Sequence, residues 1–455
     1  MKKTIVIKVV LLTALIPFLL GMSSLTMMTD AKVKNPVIHI ENEPNLEIHE
    51  GYVSQKEETV LVKKGRKTIA QVYLSEPVMV AMAEQEEEWG FFQFPNIGIA
   101  DDGTIVVSWQ MKEDTPVTYG KKPSRKYSPM MSKDGGKTWN SQDKKYSLKR
   151  YGNYIELTDG AILQLTTPAS KNENSLIKRP KVLDKKKRYT YFLAEDLPDE
   201  LQGAYIVYQE GGKTELVHAI VIDPGLVRYS YDDLIPVIWK GTIKELSDHT
   251  LMAGIYPTCY LDSLGRVSAE GVSFYQSFDS GRSWKVRGKI PFEKEKLDVI
   301  RGGNGFTEPA FQIMADSTFL CIMRTGSTSP MYESFSTDFG LSWSIPKPIT
   351  PNGVKPCVMA LKNGVIVLTS GRPGIQIRFN LDGRGKTWTE PIDMIPFMTS
   401  IGTYNRDVSC GYSSLIGTDT NSFYLVYSDF TTKGPNGKQR KSIWFRKIQI
   451  ENKYK

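Results

Sequence analysis

The sequence predicts an all-β protein, a six-bladed β-propeller of four-stranded antiparallel blades. Three observations carry this. A hairpin-like unit of two apolar strands around a polar turn recurs six times. A second turn, ending each time in tryptophan, recurs four times. Helical periodicity is nearly absent from the 455 residues. Self-similarity of this kind marks a repeat architecture, and short strands at regular spacing mark propellers or other closed β folds.

The N-terminus is read apart from the fold. Lys2, Lys3 and Lys8 precede the apolar run VVLLTALIPFLLGM, and small and polar residues follow up to Ala31. A charged start and a short apolar core read as a secretory signal over residues 1–31, which implies export to the periplasm or outside. Residues 32–85 are a strand-rich lead-in, assigned to no blade, and residues 86–452 are the propeller.

The six units are IGIADDGTIVVSW (97–109), YIELTDGAILQL (154–165), CYLDSLGRVSAEGV (259–272), FQIMADSTFLCIMR (311–324), VMALKNGVIVLTS (358–370) and SLIGTDTNSFYLVYS (414–428). Strand-forming residues flanking Asp-Gly, Asn-Gly or similar turns are hairpin signatures. Region 171–250 is poorly patterned, although LVHAIVI could supply strands to the second or third blade.

The recurring turn reads SKDGGKTW (132–139), SFDSGRSW (277–284), STDFGLSW (336–343) and, with one residue inserted, NLDGRGKTW (380–388). The Asp can accept hydrogen bonds from the turn's own N–H groups, and the Gly supplies a positive φ. The Ser/Thr hydroxyls can bond locally, and the Trp offers a large plate to pack against the next sheet. The turn is thus a structural staple.

These turns resemble the Asp-boxes (BNR repeats) of the sialidase, or neuraminidase, superfamily, whose fold is a six-bladed propeller. The resemblance covers roughly residues 90–450. It implies a retaining exo-glycosidase with a tyrosine nucleophile, the recognised exception to the two-carboxylate scheme.

Three segments place polar residues among apolar strands. In GFTEPAFQIMADSTFLCIMRTG, Glu308 and Arg324 stand at matching ends of one hairpin. By the resemblance Glu308 is the general base and Arg324 binds the substrate carboxylate, a task that suits a planar guanidinium. In LTSGRPGIQIRF, Arg372 resembles a second carboxylate-binding arginine of the family, with Arg378 as local rival. In SCGYSSLIG, Tyr412 resembles the nucleophile: a phenol, neutral until deprotonated, avoids the repulsion that a carboxylate would meet at an acidic sugar. Tyr404 is the fallback, and Arg406 beside it is a further candidate for binding an acid. In SWQMKEDTPVTYG, which offers Glu113 and Asp114, Asp114 is the expected proton donor to the leaving oxygen.

One position departs from the family. Where it opens its first blade with Arg-Ile-Pro, this chain reads FFQFP, so that alignment on Pro95 puts Gln93 in place of the first arginine. One charge-assisted contact, worth roughly 1.5–3 kcal/mol, is then missing. The expected function is an exported exo-acting hydrolase releasing a terminal acidic sugar from a glycan. The alternatives are a related propeller hydrolase or lyase acting on a non-sialic sugar, or a non-catalytic glycan-binding propeller.

The remaining composition narrows the partners. The formal charge is +8, or +6 without residues 1–30, and the lysines are spread rather than striped. That argues against nucleic acid. No run beyond the signal is long and apolar enough to span a bilayer. Cys259, Cys321, Cys357 and Cys410 lack metal-pair spacing and sit in strand-like contexts, so buried thiols are expected. No cofactor or metal is required.

Overall fold

The computed structural model describes residues 57–119, 129–141, 148–151, 154–297, 305–327, 329–372, 374–395 and 408–454, with a two-residue strand at Glu47–Ile48. The secretory-signal segment, Tyr404 and Arg406 lie outside the described residues.

Strands dominate, and they form six sheets among the described residues. Phe91–Ala100 opens one sheet and pairs with Ile105–Met111, then Met130–Ser132 and Asn140–Ser141. Thr307–Ile313 and Val354–Ala360 each open a four-stranded antiparallel meander. An eight-stranded sheet contains two such meanders, Tyr154–Ile222 and Lys240–Ile290. They are joined by a short parallel pairing of Ile220–Ile222 with Ser283–Lys285. Ser413–Gly417 opens the last sheet, which continues through Ser422–Lys433 and Gln439–Asn452.

The opening strands pack side by side in the order Phe91–Ala100, Ser413–Gly417, Val354–Ala360, Thr307–Ile313, Lys240–Glu245, Tyr154–Glu156. Together they line a central cavity of about 340 Å³. The result is a propeller-like arrangement, and its cores lie between neighbouring sheets. Phe274 of one sheet packs with Phe311 and Phe319 of the next, and Phe379 packs with Phe423.

Five of the six expected hairpins are present. Their turns are held as the sequence suggests: Asp102, Asp159, Asp316 and Asn363 each accept a hydrogen bond from the backbone N–H two residues on, at 2.9–3.1 Å. The third was misplaced. Residues 259–272 form no hairpin and pair with one another only through the isolated bridge Leu261 to Val267. The hairpin of that sheet is Lys240–Glu245 with Leu251–Thr258, turned by Asp248, whose Oδ1 accepts from Thr250 N. Its first strand carries Lys, Gly, Thr and Glu, so it shows no apolar run.

The tryptophan turns follow one plan three times. Ser336 Oγ accepts from Gly340 N (2.8 Å) and donates to Asp338 Oδ1 (2.8 Å), while Asp338 accepts from the Ser342 N–H and hydroxyl, and Trp343 Nε1 donates to Gly340 O (3.2 Å). The Ser132 and Ser277 turns repeat this. The plates pack on the preceding sheet, however, and not the next: Trp343 stacks on Phe274 at 4.1 Å, and Trp139 meets Phe445 of the last sheet edge-on at 5.2 Å. The inserted residue alters the fourth turn. There Trp388 Nε1 donates to Glu333 Oε2 (3.3 Å), and Asn380 Oδ1 takes the serine's place in accepting from Gly385 N.

The lead-in pairs with the chain's end. Lys67–Leu74 and Val78–Met82 share one edge of Gln439–Asn452, through Leu74 with Ile448 and Val78 with Phe445. The segment LVHAIVI lies in the strand Lys213–Ile222, as expected for the second blade. The sequence did not signal a further five-stranded sheet built from Lys171–Asn172, Asp184–Lys186, Tyr189–Leu193, Val227–Tyr231 and Leu234–Ile235. All four cysteines are free thiols, three of them buried and Cys357 partly so.

Candidate active site

Three opening strands begin with the same device. Phe94, Glu308 and Lys355 hold φ of +52°, +50° and +46°, and each precedes a proline, Pro95, Pro309 or Pro356. Each sits where the register to the next strand shifts, between Gln93 and Asn96, Thr307 and Ala310, and Val354 and Cys357. A left-handed non-glycine residue costs roughly 1–3 kcal/mol and persists only where its surroundings enforce it. The bulge re-aims the side chain, and the proline, which has no N–H to give, fits where the ladder is already broken. The strain thus gathers three side chains at one end of the cavity.

There the expected residues meet. The Tyr412 hydroxyl donates to Glu308 Oε1. Arg324 Nη1 donates to the same carboxylate oxygen at 2.9 Å and to the Tyr412 oxygen at 3.3 Å. Glu308 Oε2 accepts from Lys355 N at 2.9 Å. The Phe94 ring packs edge-on to Tyr412 at 4.6 Å. Burial alone would push the Glu308 carboxyl up, but Arg324, Lys355 and the Tyr412 hydrogen bond hold it below the ordinary range. Burial, and then the Glu308 charge, push the Tyr412 phenol well above its usual value. Burial works against the Arg324 cation, but Glu308 outweighs it and raises the guanidinium pKa. The resting state is therefore an ionised carboxylate accepting from a neutral phenol.

Arg372 joins this group through Ser327. Arg324 Nη2 (3.1 Å) and Arg372 Nη1 (2.8 Å) both donate to Ser327 Oγ, and Arg372 Nη2 donates to Cys410 O (3.0 Å). Arg372 is 3 % exposed, in the left-handed region at φ +64°. The chain reaches this position because Gly371 lies against Gly411, where a Cβ on Gly371 would fall 2.2 Å from Gly411 O. Two guanidinium groups thus converge on one oxygen.

The other expected residues are placed apart from this contact network. Asp114 is exposed on the loop after Ile105–Met111, and its charge acts on Tyr119 and Lys240. Gln93 is fully buried, and both its amide atoms lack a partner among the described residues. Arg378 lies inside a third strand, donating to Thr389 O, and takes no part. Sequence reasoning missed Ser327 and Lys355. The repeated X-Pro at the start of opening strands was the signal available for Lys355, while nothing in RTGSTS distinguishes Ser327. Among the described residues no group of His, Cys, Asp and Glu could hold a metal ion, and no helix is long and apolar enough to cross a membrane.

No protein-family model matches the chain, and no curated protein matches it. Solved structures do. A Dyadobacter fermentans protein of unknown function aligns with a TM-score of 0.54 at 17% identity, over 84% of this chain and 99% of that one. The Hadza microbial sialidase Hz136 aligns at 0.44 and 13% identity, over 79% and 65%. The Penicillium chrysogenum α-L-arabinanase complexed with arabinobiose aligns at 0.45 and 14%, over 81% and 98%. At these identities the likeness concerns the fold alone.

Proposed function

We propose that this chain is an exported, exo-acting glycoside hydrolase on a six-bladed propeller, releasing a terminal acidic sugar from a glycan with retention. The observation that carries the reading is the contact of Tyr412, Glu308 and Arg324. Glu308 takes the phenolic proton, the Tyr412 oxygen attacks the anomeric carbon, and the glycosidic C–O bond breaks as Asp114 gives a proton to the leaving oxygen. Water then attacks the glycosyl-tyrosine, Asp114 takes its proton, and Glu308 returns the first one to the phenol.

The two arginines suit an anionic sugar. Both already donate to Ser327 Oγ, a point where an incoming carboxylate oxygen could replace the hydroxyl. Its negative charge beside Arg324 would offset the cation that holds the Glu308 pKa down. Substrate binding would thereby make Glu308 a stronger base at the moment a base is needed.

Gln93 supports a second reading, the same chemistry on another sugar. An uncharged side chain supplies no third cation, which favours a uronic acid or deoxy sugar over sialic acid. The test is fluorophore release from an aryl α-sialoside by the wild type and by Tyr412→Phe. Turnover lost only in the variant supports the sialidase reading. Silence from both overturns it, and aryl glycosides of uronic acids and other terminal sugars then test the second.

A further inference from the structure

The five-stranded sheet inserted between residues 171 and 235 stands at the same end of the molecule as the site. Lys240 begins an opening strand there, so its antiparallel neighbour Leu251–Thr258 ends there, with Tyr256 opposite Lys240. The next residue, Cys259, bridges to Val227 of the inserted sheet. Ser170 Oγ also donates to Pro116 O (3.0 Å), tying the sheet's entry to the loop that carries Asp114.

The two faces of this sheet differ. Thr190, Phe192, Arg228 and Ser230 are buried, and Arg228 donates to Ile238 O and Gly203 O. The other face carries Tyr189, Tyr191, Tyr229 and Tyr231, cross-strand pairs 189–231 and 191–229, with ring centroids 5.0–6.4 Å apart. All four are half-buried, and none of their hydroxyls bonds to another described group. The nearby cations are already matched: Arg188, over the Tyr231 ring at 4.4 Å, pairs with Asp232, and Lys186, 5.6 Å from the Tyr191 ring, pairs with Asp184. The face is therefore amphipathic, and beyond these pairs the charge that acts on its rings is that of the Glu270 carboxyl.

It lies within electrostatic reach of Tyr119, on the loop that carries Asp114. Burial and then the Glu270 charge raise the phenol pKa of Tyr229 and Tyr189, and Tyr119 acts on Tyr229 as well. Tyr119 follows Asp114 on its loop, and Lys240 lies 5.1 Å over its ring.

We propose that this tyrosine face binds the neutral sugar residues on the leaving-group side of the scissile bond, so that the protein acts on oligosaccharides in preference to short glycosides. Flat rings with free hydroxyls suit pyranose faces and edges, and two-torsion side chains lose little entropy in the contact. With the nearby cations matched and the Glu270 carboxyl beside the rings, the face favours neutral sugars over a polyanion. The proposal rests on the hydrolase reading above.

The test uses the full chain and an array of oligosaccharides ending in sialic or uronic acid, with the corresponding one-sugar aryl glycosides. In Tyr189→Ser/Tyr231→Ser the ratio of kcat/KM for oligosaccharide to aryl glycoside should fall about tenfold or more through KM, equal to about 1.4 kcal/mol. Tyr189→Phe/Tyr231→Phe, which keeps the rings, should retain most of the ratio. Equal losses on both substrates, or an unchanged ratio, would overturn the platform and leave the hydrolase reading standing. Binding on the array without cleavage would remove the hydrolase reading, and the platform would then stand or fall on whether the serine variant loses retention. A wild type that neither binds nor cleaves overturns both.

Discussion

The Tyr412 hydroxyl and the Glu308 carboxylate, 104 residues apart in sequence, share a hydrogen bond, and Nη1 of Arg324 donates to both oxygens. Glu308 and Arg324 come from adjacent strands of one hairpin, whereas Tyr412, just before Ser413–Gly417, is brought to them only by the packing of the sheets. A cation, an anion and a phenol in mutual contact form a unit whose protonation states depend on one another, and a variant of one perturbs the other two.

Replacement of Glu308 by Gln removes both the base and the partner of a buried guanidinium. A loss of stability of roughly 3–5 kcal/mol is expected for the uncompensated Arg324, read as a shift in denaturation midpoint. Because the Glu308 pKa is lowered on folding, its contribution is present above the unfolded value of 4.5 and is lost as pH falls through the folded value. Wild-type stability should fall below pH 4.5 more steeply than that of Glu308→Gln.

Arg372→Lys keeps the charge but loses the fork that meets Ser327 and Cys410 at once. For an acidic substrate, KM should rise by about 10- to 100-fold, in line with about 1.5–3 kcal/mol for a charge-assisted bond, while kcat changes less. Equal effects on acidic and neutral glycosides would argue against carboxylate recognition.

The turns give a graded prediction. Ser336→Ala strands the buried Gly340 N–H and should cost about 1–2 kcal/mol. In the fourth turn Asp382 accepts, among the described residues, only from Arg384 N, so Asp382→Ala should stay within about 0.5 kcal/mol. Urea unfolding of the two variants would show the difference.

Burial pushes the Glu333 carboxyl up to about 8, partly offset by the Trp388 hydrogen bond. A raised folded pKa contributes stability that is complete below 4.5 and declines as pH rises toward 8. The slope approaches about 1.4 kcal/mol per pH unit. Glu333→Gln should flatten this decline, so the Tm advantage of the variant should grow between pH 5 and 8. A pH-independent difference would count against the neutral carboxyl.

Much of the fold was legible because its stabilising contacts are local. Asp102, Asp159 and Asp316 bond their own turns, and Ser132, Ser277 and Ser336 open turns closed within eight residues. The hairpin at Lys240–Thr258 was hidden because its opening strand faces a solvent-accessible cavity and carries Lys240, Thr242 and Lys244. The inserted sheet was hidden because its strands are short and pair across the chain, Tyr189–Leu193 with Val227–Tyr231. For the site, Glu308, Arg324, Arg372 and Tyr412 could be named as types suited to the chemistry, whereas Ser327 could not, since a serine acquires meaning only from what surrounds it.

The sequence by itself determined the strands, most of the hairpins and the tryptophan turns, because alternation, turn residues and short-range hydrogen bonds act within a dozen residues. Only the tertiary structure decided that Trp343 packs on the preceding sheet and that residues 67–82 pair with the C-terminal strand. It alone brought Arg324 and Arg372 to one oxygen. Those outcomes depend on the ring order of the sheets and on left-handed residues at Phe94, Glu308 and Lys355. Such strained positions are held by surrounding contacts rather than by their own preference, so the chain's local chemistry does not announce them.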